Sequence, residues 1–320
     1  MKKAGLVFLS LCMLISCQQK KSNVPVVAFM DAFEDNTLKK AKQGFFDALQ
    51  ANGFDEKNKT IEVIYRNAQG DIPALNQIIH YFNAEQPTLI AACPSLSAIT
   101  AVQNSKDIPI FMMVAPTPSL MKVTDAQGNA PKNLFGVGEN LDYIDSSFLL
   151  IPKIIRPKNA RLKVGMIFNQ SEPQSVEAKN RMTALAASEA IDLVVLPVNS
   201  SAEVQIVTAS LLSKQIDVFF ANPDNTVFAS FETIVKACGE IKVPIITSEA
   251  GLVERGALAG YGADIYQWGY QAGVQAAGYL KNKSTKGLHW EMVKNRKHIY
   301  NQQVAATYGI DLPAYFEPMR

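Results

Sequence analysis

The chain has 320 residues, 48% of them hydrophobic, with Lys+Arg 31 against Asp+Glu 29. The length is large for a single core and suits two lobes, and the ordinary apolar content excludes a disordered chain. Setting aside Lys2 and Lys3 with the leader leaves 29 charges of each sign; neutrality without a basic run argues against a nucleic-acid partner.

The first residues, Met1-Lys2-Lys3, precede an apolar run over 4–15 and then Ser16-Cys17. A basic start, a short apolar stretch and a small residue before the cut describe a secretory signal peptide over 1–16. The run is too short to span a bilayer, which needs about 20 apolar residues. Leu14-Ile15-Ser16-Cys17 resembles the bacterial lipobox, in which the Cys thiol takes a diacylglycerol, so Cys17 is the expected lipidation site and mature N-terminus. Residues 17–23 are polar and read as a tether. No later stretch is apolar for long enough to span a membrane. The mature chain is therefore expected outside the cytoplasm, held at a membrane by its anchor.

From residue 24 onward, short β-branched runs alternate with longer helical patterns. Strands are expected at 24–30, 60–65, 88–92 and 108–114, and helices at 37–52, 71–84 and 95–104. Asp71 is a plausible cap with Pro73 in the first turn. The pattern restarts with strands at 134–137, 162–168, 193–198, 218–221 and 243–247, and a short one at 257–261. Helices are expected at 142–155, 175–190, 202–213, 226–238 and 265–280. Alternation of this kind predicts βαβ units on parallel sheets covered on both faces.

The halves echo each other. Ala92-Cys93-Pro94-Ser95 leads into a helix and then Ile108-Pro109-Ile110; Ala221-Asn222-Pro223-Asp224 leads into a helix and then Val243-Pro244-Ile245. Two similar α/β lobes are the simplest account. Cys93 and Cys238 are expected as buried free thiols rather than a disulfide.

Ligands of open parallel sheets bind outside the carboxyl ends of the strands. The loops there supply the candidates: Phe33 and Glu34 after the first strand, Ser95 and Ser97 after the third, and Thr117 after the fourth. In the second half they are Ser171 and Glu172, then Asn222, Asp224 and Asn225, then Glu249. Ser95 and Ser97 stand at a helix N-terminus that favours a carboxylate. Asp224 suits an ammonium or a hydroxyl. Ser95, Ser97, Glu172 and Asp224 can instead serve as helix caps, and Phe33 can stack on a ligand or pack between the lobes. Trp268 and its neighbours at helical spacing are expected in packing. No phosphate loop, nucleophile elbow or Cys/His cluster with metal-ligand spacing occurs, so no enzyme activity, metal or other cofactor is expected.

The segments 165–175, 222–227, 255–259, 268–273 and 301–313, in that order, resemble the ABC-transporter substrate-binding family that includes tryptophan- and tyrosine-type binding lipoproteins, and with it the type I periplasmic binding fold. The resemblance implies two Rossmann-like parallel-sheet lobes joined by a three-crossover hinge. The expected lobes are 24–139 with 256–283, and 140–250 with 284–320. It also implies a small polar, amino-acid-like solute in the cleft, delivered by a monomer to the permease and ATPase subunits of an importer. A ligand-sensing receptor signalling to a membrane partner is the alternative. The chain departs from many relatives at Thr117-Pro118 and at Phe33-Glu34-Asp35-Asn36, two loops where ligand identity is decided.

Overall fold

The computed structural model describes residues 24–33 and 36–319. The signal peptide, Cys17, the tether and Glu34 lie outside the described residues.

The first lobe is laid down in strict alternation: β1 (Val26–Asp31), α1 (Asn36–Ala51), β2 (Glu62–Asn67), α2 (Ile72–Glu85), β3 (Leu89–Cys93), α3 (Ser95–Asn104), β4 (Ile110–Pro116) and β5 (Leu134–Glu139). Central strands β3, β4 and β5 are buried at every position, as parallel strands with helices on both faces must be. Edge strand β2 carries Glu62 and Arg66 at its exposed positions, which keeps other chains from pairing with it.

After Glu139 the chain crosses to the second lobe: α4 (Asp142–Phe148), α5 (Ile151–Ile154), β6 (Lys163–Asn169), α6 (Pro173–Ser188) and β7 (Asp192–Val198). It continues through α7 (Val204–Leu212), β8 (Val218–Ala221), α8 (Asn225–Ala229), α9 (Phe231–Glu240), β9 (Ile245–Thr247), α10 (Ala250–Glu254) and β10 (Ala259–Ala263). A second crossover at Asp264 returns it as α11 (Ile265–Asn282) and β11 (Glu291–Met292). A third leads to β12 (Arg296–Tyr300), α12 (Gln302–Tyr308) and β13 (Glu317–Pro318). The sheets run β11-β5-β4-β3-β1-β2 and β13-β12-β10-β9-β8-β6-β7. The two-lobed α/β architecture with three crossovers is thus present. No helix among the described residues is long and apolar enough to cross a membrane.

The lobe boundaries need correction in the last quarter of the chain. Residues 256–264 belong to the second lobe, because β10 pairs with β9 (Gly260 beside Thr247) and with β12. Residues 284–292 belong to the first, because β11 pairs with β5, Glu291 beside Val137. The helix expected at 142–155 is two helices. Pro152 has no N–H to donate to Phe148, so α4 closes and α5 restarts with that proline in its first turn. The helix expected at 226–238 likewise breaks, at Ser230. Cys93 and Cys238 are both buried, as expected, and are not joined to each other.

Helix α11 is fastened to α1 by close backbone contact. A Cβ on Gly269 would sit 1.9 Å from the Ala41 carbonyl oxygen, and one on Gly44 would sit 2.1 Å from that of Tyr266. Gly269→Ala would gain up to about 1 kcal/mol of helix propensity. The obstructing atom is backbone, so the helices must separate, and overpacking of this kind costs roughly 1–3 kcal/mol. A net loss of about 1–2 kcal/mol, read as a lower urea midpoint, is expected.

At its carboxyl end β4 bulges. The register with β5 shifts between Met112 and Ala115, and Val114 sits at φ +49°, a conformation that β-branched residues avoid. Opposite it, Gly136 lies at φ +91° with no room for a Cβ beside Met112. The bulge re-aims Val114 and Ala115, which wall the cleft.

Candidate functional site

The carboxyl ends of the two sheets face each other across a cavity of about 40 Å³. The first lobe contributes Ser95 and the β4 bulge with Pro116. The hinge contributes Glu139, Leu141 and Tyr143, and the second lobe Gln174, Asp224, Asn225, Phe228 and Glu249. Trp268, on the helix that follows the second crossover, completes the wall. Its indole N–H donates to the Val137 carbonyl, 2.9 Å, which fixes the ring against the first lobe.

On the second lobe a buried polar network is built around two carboxylates. Asp224 caps α8: Oδ1 accepts from the backbone N–H of Thr226 (2.8 Å) and Val227 (3.0 Å). Its Oδ2 accepts from the Asn169 N–H (2.7 Å) and the Ser175 hydroxyl (2.5 Å). Glu172, at the start of α6, accepts through Oε2 from the Gln174 amide (2.6 Å) and from the Asn225 backbone (3.0 Å) and side chain (2.7 Å). Burial and the neighbouring Asp224 carboxylate push Glu172 up to about 8, and burial raises Asp224 as well.

The network reaches the first lobe at one hydroxyl. Ser95 Oγ accepts from the Asn225 amide (3.0 Å) and the Gln174 amide (3.4 Å). Beside the cleft, the Arg255 guanidinium donates to Thr37 Oγ1 (3.2 Å), and Lys40 pairs with Glu254. The lobes are therefore held closed by polar contacts from α1 and α3 to α6, α8 and α10.

A second acidic group lies nearer the hinge. Glu249 is 2% exposed and accepts from the Tyr143 hydroxyl through Oε1, 2.6 Å, whereas its buried Oε2 has no hydrogen-bond partner. Burial pushes it up to about 8. Glu139, where the first crossover begins, is bound bidentately by Arg296 of the third (2.7 and 3.0 Å). Burial raises Glu139, against the pull of that guanidinium. The cavity lining thus holds three carboxylates, several amides and hydroxyls and three aromatic rings, and no cationic side chain among the described residues.

Of the candidates from sequence, Ser95, Asp224, Asn225 and Glu249 line the cavity. Glu172 lies behind them and holds Asn225 and Gln174 in place. Ser97 and Asn222 are fully buried nearby, each with one oxygen lacking a partner. Phe33, Thr117 and Ser171 are not brought to the cavity. Phe33 is buried in the main hydrophobic cluster. The Thr117 backbone and hydroxyl organise the turn at 117–121, and Ser171 is exposed in the turn that Asn169 stabilises. Sequence reasoning missed Gln174, Tyr143, Glu139 and Phe228. Gln174 and Tyr143 each follow a helix start by one residue, a position that could have marked them.

A family profile described as ABC transporter substrate binding protein matches residues 24–316. A tyrosine-binding protein of Clostridioides difficile is 34% identical over 287 residues, covering 89% of this chain and 80% of the relative. Among solved structures, a conserved domain protein from Vibrio cholerae has a TM-score of 0.82 at 27% identity, covering 93% of this chain and 100% of the other. The ligand-free, open structure of a Clostridium difficile substrate-binding protein with adhesive properties has a TM-score of 0.66 at 27% identity, covering 93% and 99%. A Streptococcus pneumonia ABC domain in complex with L-Trp shares the fold, with a TM-score of 0.79 at 20% identity, covering 91% and 96%. The chain belongs to the ABC transporter substrate-binding proteins, non-enzymatic binding components of transporters built on the type I periplasmic binding fold.

Proposed function

We propose that this chain is the solute-capturing component of an ABC importer, held outside the cytoplasm by a lipid on Cys17, and that its solute is an aromatic L-amino acid such as tyrosine. The observation that carries the reading is the cleft's chemistry: carboxylates on the second lobe and hinge face a helix N-terminus on the first, with aromatic walls between. The ligand ammonium belongs with Glu249 and Asp224. The ligand carboxylate belongs at the start of α3, where Ser97 Oγ and the first-turn N–H groups have no intrahelical partners. Tyr143, Phe228 and Trp268 offer faces for an aromatic side chain. The relative named as a tyrosine-binding protein supports the same choice. Because ligand groups would touch both lobes, binding favours the closed form over the open one.

Thermal melts with amino acids and small sugars test this. L-Tyrosine or L-tryptophan at 100 times Kd is expected to add about 2.7 kcal/mol, several degrees in Tm. No shift with any amino acid would sink the reading. Cys17→Ala is expected to release the protein from the membrane fraction.

A further inference from the structure

Among the described residues, Glu249 is the one cavity-lining carboxylate with a buried oxygen that has no hydrogen-bond partner. Its Oε1 is committed to the Tyr143 hydroxyl and its Oε2 lacks a partner. The groups around it offer no compensating charge. Tyr143 on α4 is neutral. Glu139 at the end of β5 is acidic, and the Arg296 that faces it from β12 is already bound to it bidentately. Asp224, at the start of α8, lines the same cavity and is acidic too. From α11 comes only the Trp268 ring. The backbone of Glu249 is pinned independently, its N–H donating to Thr247 Oγ1, 3.0 Å. An acid so placed is stable as a neutral carboxyl until a cation arrives. Tyr143 packs in the second-lobe core, and β9 leads directly into Glu249. The pair therefore stays together when the first lobe swings away.

Resting on the reading above, we propose that Glu249 is the anchor for the ligand's ammonium group and that capture expels one proton from it: the Oε2–H bond breaks, the proton leaves to solvent, and the resulting carboxylate accepts from the ligand N–H. Tyr143 is its positioning residue, holding Oε1 so that Oε2 faces the cavity. The rise of Glu249 to about 8 agrees with the neutral form at pH 7. Binding is then linked to pH, with the ligand gripped more tightly as protons become scarcer.

Calorimetric titration of the mature chain with L-tyrosine, in buffers of different ionisation enthalpy at pH 6.5, tests this. The observed enthalpy is expected to vary linearly with buffer ionisation enthalpy, with a slope of about one proton released. Kd is expected to tighten about tenfold per pH unit between roughly 6 and 7 and to level off above about 8. Glu249→Gln is expected to weaken L-tyrosine about 10- to 100-fold and abolish the proton release. Tyr143→Phe keeps the release and moves the levelling point to higher pH, because the lost hydroxyl favoured the carboxylate; a purely structural role would leave that point unmoved. 3-(4-Hydroxyphenyl)propionate, which lacks the ammonium, is expected to release no proton. Buffer-independent L-tyrosine binding overturns this proposal and leaves the functional reading standing. So does release that survives Glu249→Gln but vanishes in Glu172→Gln. Absence of binding by any amino acid overturns both.

Discussion

Asp224→Ala is expected to lower the unfolding free energy by about 3–4 kcal/mol, the largest loss from any single truncation in the cleft. The carboxylate satisfies donors from three places: the first turn of α8, the end of β6 and the first turn of α6. Losing the cap on Thr226 and Val227 costs about 1 kcal/mol. Leaving the buried Asn169 N–H and the Ser175 hydroxyl without this acceptor costs roughly 1–3 kcal/mol for each group left unsatisfied. Against this, the variant removes a buried charge and a neighbour that raises Glu172, a partial offset. Asp224→Asn separates these contributions. Its carbonyl can still cap α8, while its amide meets the Asn169 N–H donor to donor, so about half the loss is expected. Urea denaturation reads both. In Asp224→Ala, NMR titration of Glu172 should find its pKa lower than in the wild type, with the part raised by burial retained. Asp224 variants as stable as the wild type would show that the network is dispensable.

The alternating architecture was legible because the central parallel strands are apolar along most of their length and several helices are opened by a capping side chain such as Asp71, Asp224 or Asp264. Where those conditions lapse, the sequence is silent. β11 and β13 are two residues long, too short to carry a period. β12, Arg296–Tyr300, is rich in basic and polar residues because it lies next to the sheet edge and pairs antiparallel with β10. The segment 257–261 carries a clear strand signal and no signal of which sheet it joins. That is decided by its pairing with β9, some 13 positions earlier in register. Its closeness in sequence to α11, which packs against α1 in the first lobe, points the other way.

The site was legible by rule rather than by residue. Inspecting loops after strands found Ser95, Asp224, Asn225 and Glu249. The same rule admitted Phe33 and Thr117, since position after a strand says nothing about whether a side chain turns toward the partner lobe. Glu139 ends a strand and Tyr143 lies inside a helix, so a rule about loops after strands passes over both, although the crossover at 139–140 is legible. Arg296 is marked only by its partner, and Glu139 lies 157 positions away.

Without ligand, the protein is expected to be most stable near pH 5 and to lose about 2–5 kcal/mol by pH 8.5. The sign follows from Glu172 and Glu249, both pushed up to about 8 from an ordinary 4.5. The folded form holds these protons more tightly than the unfolded chain does. Their stabilising contribution is therefore complete below about pH 4.5 and is lost as pH rises through about 8. Each group alone has a ceiling of about 5 kcal/mol at 1.36 kcal/mol per unit; relaxation of the cleft keeps the observed sum lower. On the acid side, Glu232 is held below its usual range by Arg255, and Glu291 by Lys294. Both pairs are lost as pH falls through the carboxylate range, which closes the optimum from below. Urea denaturation at pH 5, 6.5 and 8.5 reads the curve, and Glu249→Gln should flatten its alkaline side. A stability that rises toward pH 8.5 would mean that both acids are ionised and compensated in the free protein. A ligand ammonium would then find no proton to displace. The alkaline limb of the stability curve and the pH-dependence of binding thus meet at Glu249, a buried acid in a cleft whose described residues include no cationic side chain.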